Sequence, residues 1–128
     1  MKTRLLIVDD DKELCSLLSV YFEHLGYEVT TAQSDYGARD LLASQPFDVA
    51  LLDWNLAGVL ALDLLNFLRG RYPSMPVIVF TGTDVPDSLL ERALDRRASF
   101  CRKNNSLQSL AMEVLLKSSS TEQLSLAV

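Results

Sequence analysis

Three short apolar runs constrain this chain more than any other feature, because each stops at a residue able to do chemistry. Leu5-Leu6-Ile7-Val8 stops at Asp9, Val49-Ala50-Leu51-Leu52 at Asp53, and Val77-Ile78-Val79-Phe80 at Thr81. Runs this short, rich in branched side chains and without polar alternation, predict strands covered on both faces. Tyr27-Glu28-Val29-Thr30-Thr31 reads as a fourth strand and Ala98-Ser99-Phe100-Cys101-Arg102 as a weaker fifth.

Helical patterns fill the intervals. Leu14, Leu17, Leu18, Tyr21 and Leu25 recur at helical spacing and form the expected buried stripe of a first helix, which Gly26 stops. Cys15, Ser19 and Phe22 would flank that stripe, with Phe22 either exposed or at the core edge. A second helix runs from near Ser34 to Ser44, before Pro46. A third covers about Leu60–Arg69, a fourth about Asp87–Arg96, and a fifth begins after Ser106, a natural N-cap, and reaches about Lys117. Five alternations of strand and helix predict an α/β fold with helices on both faces of a parallel sheet. Right-handed crossovers leave few topologies, and a flavodoxin-like doubly wound five-stranded sheet of order 2-1-3-4-5 is expected, with ligands at the carboxyl ends of the strands.

The 128 residues suit one domain. Residues 1–117 are expected to form it, with 118–128, opening Ser118-Ser119-Ser120-Thr121, as a flexible tail or linker stub. No apolar run approaches the roughly 20 residues of a membrane helix. The N-terminus lacks a signal-peptide pattern, so a cytoplasmic location away from membranes is expected. There Cys15 and Cys101 would remain free, buried or half-buried thiols. The lone His24 reads as a surface residue.

The net charge of −5 argues against direct nucleic-acid binding. It is unevenly spread: residues 1–64 carry eleven acids and four bases, residues 65–128 six acids and eight bases. Arg92, Arg96, Arg97 and Arg102 read as a solvated face rather than a docking patch.

The predicted strand order brings the ends of the first and third strands together. Asp9, Asp10 and Asp53 would then converge, with Thr81 and Lys103 opposite. Clustered carboxylates repel one another unless a cation compensates. Hard oxygen donors suit Mg²⁺, and a carboxylate is also a covalent phosphoryl acceptor. Capping of the first helix would explain one of Asp9, Asp10 and Asp11, but not three beside a further strand ending in Asp.

Ile7-Val8-Asp9-Asp10-Asp11, Leu51-Leu52-Asp53, Phe80-Thr81-Gly82 and Phe100 with Lys103 together resemble the response-regulator receiver family, over essentially Lys2 to Lys117. The order and spacing of the motifs carry this resemblance, and Asp53-Trp54-Asn55 is similar to the chemotaxis regulators. The resemblance implies a two-component signalling switch, not an enzyme acting on a separate substrate. Asp53 would accept a phosphoryl group from a histidine kinase or histidine phosphotransfer protein in a Mg-dependent reaction and pass the state to a downstream protein or output domain. Asp10, Asp53 and the backbone carbonyl of Asn55 would hold Mg²⁺, with Asp9 acting through water. Lys103 would pair with Asp53 and then with the phosphoryl group, while Thr81 and Phe100 would switch.

Several backbone-shaping residues depart from the family pattern. Ala57 replaces a usual proline, Ala61 a usual glycine, and Arg97 a common glycine. Lys103 is followed by Asn104 rather than proline, so their peptide bond is expected to be trans. The alternative reading is therefore a degenerate pseudo-receiver that binds protein without phosphorylation. A phosphatase of the haloacid dehalogenase type would need a second Asp where Asn55 stands. A flavodoxin would place its Thr/Gly phosphate loop after the first strand, not at Thr81-Gly82-Thr83. A dinucleotide-binding domain would need a glycine-rich turn there.

Overall fold

The computed structural model describes residues 2–56, 59–82, 88, 91–93, 97–103 and 105–118, with backbone alone for 59 and 60. Five strands, β1 (Arg4–Val8), β2 (Glu28–Ala32), β3 (Val49–Asp53), β6 (Val77–Thr81) and β7 (Ala98–Arg102), form one parallel sheet in the order β2-β1-β3-β6-β7, while the short strands β4 (Asn55–Leu56) and β5 (Val59–Leu60) pair apart from it. This is the expected 2-1-3-4-5 order. Helices α1 (Lys12–His24), α2 (Asp35–Ser44), α3 (Ala61–Arg71) and α4 (Leu107–Ser118) flank it. Of the helix expected at 87–96, Ser88 and Glu91–Ala93 are helical and the remainder lies outside the described residues. Ala57, the Lys103–Asn104 bond and the tail beyond Ser118 also lie outside them.

The continuous apolar runs are explained by cover on both sides. Leu6, Val8, Ala50, Leu52, Val77 and Val79 join one core layer with Leu42 of α2 and Leu64, Leu65 and Leu68 of α3. Leu5, Ile7, Val49, Leu51, Ile78 and Phe80 join the other with Leu18 of α1 and Leu110 and Val114 of α4. The alternation along each strand is the period of two that a pleated backbone imposes.

Local signals set the helix ends. Asp11 caps α1, its Oδ1 accepting from the Leu14 N–H at 3.1 Å. Gly26 then takes φ +100°, a left-handed conformation that suits glycine. Ser34 and Ser106 accept from the N–H groups of Gly37 and Ser109, opening α2 and α4.

The expected stripe of α1 is corrected. Cys15, Leu18 and Phe22 are its buried residues, whereas Leu17 is 54% and Leu25 49% exposed. Phe22, expected exposed or at the core edge, is fully buried between the rings of Tyr21 and Tyr27, each 5.5 Å away and edge-on. Both sets of positions have helical spacing, so periodicity alone did not choose between them; the large aromatic surface did. Cys15 and Cys101 are free and buried, and His24 is exposed. Arg92, Arg97 and Arg102 are exposed, while Arg96 is outside the described residues.

Arg97 takes φ +60°, the left-handed conformation that favours glycine, the residue common at this position in the resembling family. Arg69 braces the turn: its guanidinium donates to the carbonyls of Met75 (2.6 Å), Tyr72 (3.2 Å) and Arg97 (3.3 Å).

Candidate functional site

The carboxyl ends of β1, β3, β6 and β7 form the site. Asp9 leaves β1 with its N–H donating to the Ala32 carbonyl of β2 at 3.0 Å. Its side chain has no exposure, and its Oδ1 accepts from the Asp11 N–H at 2.9 Å. The Cys15 thiol donates to the Asp9 carbonyl at 3.3 Å and so ties α1 beneath the site. Asp53 closes β3 and is 6% exposed, opposite Phe80 in the register. Asp10 is exposed. One oxygen from each of Asp9, Asp10 and Asp53 lies within 4.8 Å of the others.

Lys103 enters from beyond β7, where its N–H donates to the Thr81 carbonyl at 2.8 Å. Its ammonium sits 2.8 Å from Asp9 Oδ2 and 3.1 Å from Asp53 Oδ1, and 4.9 Å from the centre of the Phe80 ring. The convergence follows from strand parity. Asp9, Asp53 and Lys103 continue the alternation that carries Ile7, Leu51 and Cys101 to the α1–α4 side of the sheet.

Trp54 and Phe100 have the opposite parity. Their rings meet 6.0 Å apart on the α2–α3 side, where Trp54 is 5% exposed. Thr81 shares that parity and is 7% exposed, and its carbonyl accepts from the Lys103 N–H. The structure thus gathers Asp9, Asp10, Asp53 and Lys103 and places Phe100 behind them against Trp54. Pairing of Lys103 with Asp9 as well as Asp53 was not expected from sequence; the shared parity of residues 9, 53 and 103 was the available signal.

The apolar loop after Asp53 is a further finding. It forms a small antiparallel hairpin, β4 (Asn55–Leu56) with β5 (Val59–Leu60), in the register Asn55↔Leu60 and Leu56↔Val59. The Ala61 N–H donates to the Trp54 carbonyl at 2.9 Å, continuing that register by one rung. Bonded and non-bonded pairs alternate in an antiparallel ladder. Asn55 therefore occupies a non-bonded pair, with its N–H and C=O both facing away from Leu60. The N–H is directed at Asp53 Oδ1, at 3.5 Å, so the carbonyl faces the same side.

The electrostatics follow from burial. Burial and the charge of Asp9 push the Asp53 carboxyl above the usual carboxylate range, against the pull of Lys103 and the Asn55 N–H. Burial by itself would lower Lys103, but Asp9 and Asp53 together outweigh it and raise the ammonium above its ordinary value.

One ammonium among three carboxylates leaves negative charge uncompensated. Asp9 Oδ2 is buried without a hydrogen bond of good geometry, its near partner being the Lys103 ammonium. Oxygen donors, excess negative charge and an under-satisfied buried oxygen fit a hard divalent cation.

The family model described as the response regulator receiver domain matches residues 5–114. The response regulator protein PilR of Pseudomonas aeruginosa is 31% identical over 90 residues, covering 70% of this chain and 20% of that protein. The chain spans 20% of the length of PilR and 42% of that of the transcriptional regulatory protein KdpE of Mycobacterium tuberculosis. A CheY-like receiver domain from Methanospirillum hungatei superposes with a TM-score of 0.86 at 25% identity, over 92% of this chain and 94% of that one. TrrA of Thermotoga maritima, a response regulator solved in complex with Mg²⁺ and BeF, gives 0.81 at 25% identity, over 91% and 99%. No helix among the described residues is long and apolar enough to cross a membrane.

Proposed function

Because the chain belongs to the response regulator receiver domain family, we propose that it is an active phosphorylatable switch in which Asp53 is the acceptor. The observation that carries this reading is the Lys103 ammonium held between two buried carboxylates, Asp9 and Asp53, with Asp10 beside them. In this reading an Asp53 carboxylate oxygen attacks the phosphorus of a phosphohistidine, the P–N bond breaks, and the imidazole departs. Transfer of this kind depends on placement and on neutralising the phosphoryl oxygens.

Asp10 and Asp53 would hold Mg²⁺ directly with the Asn55 carbonyl, and Asp9 through water. When bound, the ion supplies charge neutralisation at the phosphoryl oxygens. Lys103, already within 3.1 Å of Asp53, supplies a second positive charge on the same side. Its bond to Asp53 would give way to one with the phosphoryl group. Thr81 and Phe100 would carry the change to the opposite face, since the Lys103 N–H is bonded to Thr81 and Phe100 packs on Trp54 beside Asp53.

The partners would be a histidine kinase or histidine phosphotransfer protein and a downstream protein or output domain, met by this chain in the cytoplasm. Residues 1–117 would act as the receiver unit and 118–128 as a tail or linker. Incubation with acetyl phosphate and Mg²⁺ should add one phosphoryl group by intact mass, and chelation of the metal should suppress the gain. No gain with Mg²⁺ at saturation would favour the pseudo-receiver reading.

A further inference from the structure

We infer that Leu56 is a positioning residue for the cation, acting through the backbone of Asn55; this rests on the reading of Asp53 as a Mg-dependent acceptor. The segment after Asp53 lacks the proline and glycine that usually shape it in this family, with Ala57 and Ala61 in their places. The hairpin supplies order by another route. Trp54 is fixed at both backbone groups: its N–H donates to the Phe80 carbonyl at 3.2 Å and its C=O accepts from Ala61 at 2.9 Å. Ala61 is fully buried at the start of α3. At the other end of the arm Leu56 is 2% exposed and belongs to the core layer of Trp54, Ala61 and Leu64.

Asn55, exposed itself, lies between these two buried anchors. With Trp54 and Leu56 held, the rung between them has one orientation, and that orientation turns the N–H and C=O of Asn55 toward Asp53. Side-chain packing at Leu56 thereby does what a rigid loop backbone does elsewhere. A ligand held through one further residue loses affinity when its support is removed, typically by about 10- to 100-fold.

The test is calorimetric titration of the whole chain with Mg²⁺ alone. Leu56→Ala should weaken binding about tenfold or more, and Leu56→Met, which conserves volume, should restore it. Leu42→Ala is the control. It opens a similar cavity in the same core layer at the far end of the strands, where the Leu42 carbonyl accepts from Tyr72. It should bind Mg²⁺ like the parent. Ala61→Pro decides the matter where Leu56→Ala does not fold. It removes the donor to Trp54 at a first helical position, where proline is tolerated after an extended residue, and should also weaken binding. Parental affinity in Leu56→Ala or, where that variant does not fold, in Ala61→Pro overturns the inference, as does equal weakening in Leu42→Ala. Absence of Mg²⁺ binding in the parent chain overturns the underlying reading, and the inference with it.

Discussion

Removing the Lys103 ammonium tests the electrostatic account of the site. Lys103→Met keeps most of the apolar stem over Phe80 but deletes the charge 2.8 Å from Asp9 and 3.1 Å from Asp53. Stripping one partner from a fully buried pair costs about 3–5 kcal/mol, because an uncompensated charge stays behind. Here the lysine side chain is 25% exposed, while the carboxylates are 0% and 8% exposed. Partial screening brings the expected cost to about 2–4 kcal/mol at neutral pH without divalent ions. The cost has a signature in pH. Lys103 pulls the raised Asp53 carboxyl downward, so its loss raises that group further. Protonated Asp53 needs no cation, so the deficit should shrink as pH falls through the folded-state pKa of Asp53. Mg²⁺ should shrink it as well. Urea unfolding followed by circular dichroism, with an unchanged slope, measures the difference. A variant as stable as the parent at neutral pH in a chelator would refute the account.

Three further outcomes are expected. Asp53 has a folded-state pKa raised by burial and by Asp9, so it penalises the fold increasingly as pH rises above the ordinary carboxylate range. Asp53→Asn should therefore raise the urea midpoint at neutral pH and lose that advantage in acid; a lowered neutral midpoint contradicts this. Arg97→Gly should stabilise by about 1 kcal/mol, because it relieves a non-glycine residue at φ +60°; thermal denaturation showing a loss would mean that the arginine side chain outweighs the strain. Phe22→Ala should cost about 3–5 kcal/mol and Leu17→Ala under about 0.5, and the reverse order would restore the stripe read from sequence.

The fold was legible because three of its strands announce themselves twice, by unbroken apolar runs such as Leu5–Val8 and by the residue at which each run stops. Right-handed crossovers left few strand orders, and the flavodoxin-like one among them brought Asp9, Asp10 and Asp53 together at one sheet edge. What sequence left open was settled by packing. Phe22 and Leu17 both fit a helical period, and only the aromatic pair around Phe22 shows which enters the core. The hairpin at Asn55–Leu56 and Val59–Leu60 was not legible, because two-residue strands are too short to show alternation. Which carboxylate shares the lysine depends on parity across three strands, and no single motif contains that relation.

Asp53 is expected to form an acyl phosphate, and reductive trapping detects that bond at its own residue. Acetyl phosphate and Mg²⁺ are added, the protein is treated with borohydride, and its peptides are sequenced by mass spectrometry. An acyl phosphate is reduced to an alcohol, which marks its carboxyl group permanently. Asp53 alone should be reduced to homoserine, and nothing should be marked in Asp53→Asn. Reduction at Asp9 or Asp10, or an unmarked chain in saturating Mg²⁺ and phosphodonor, would contradict that expectation.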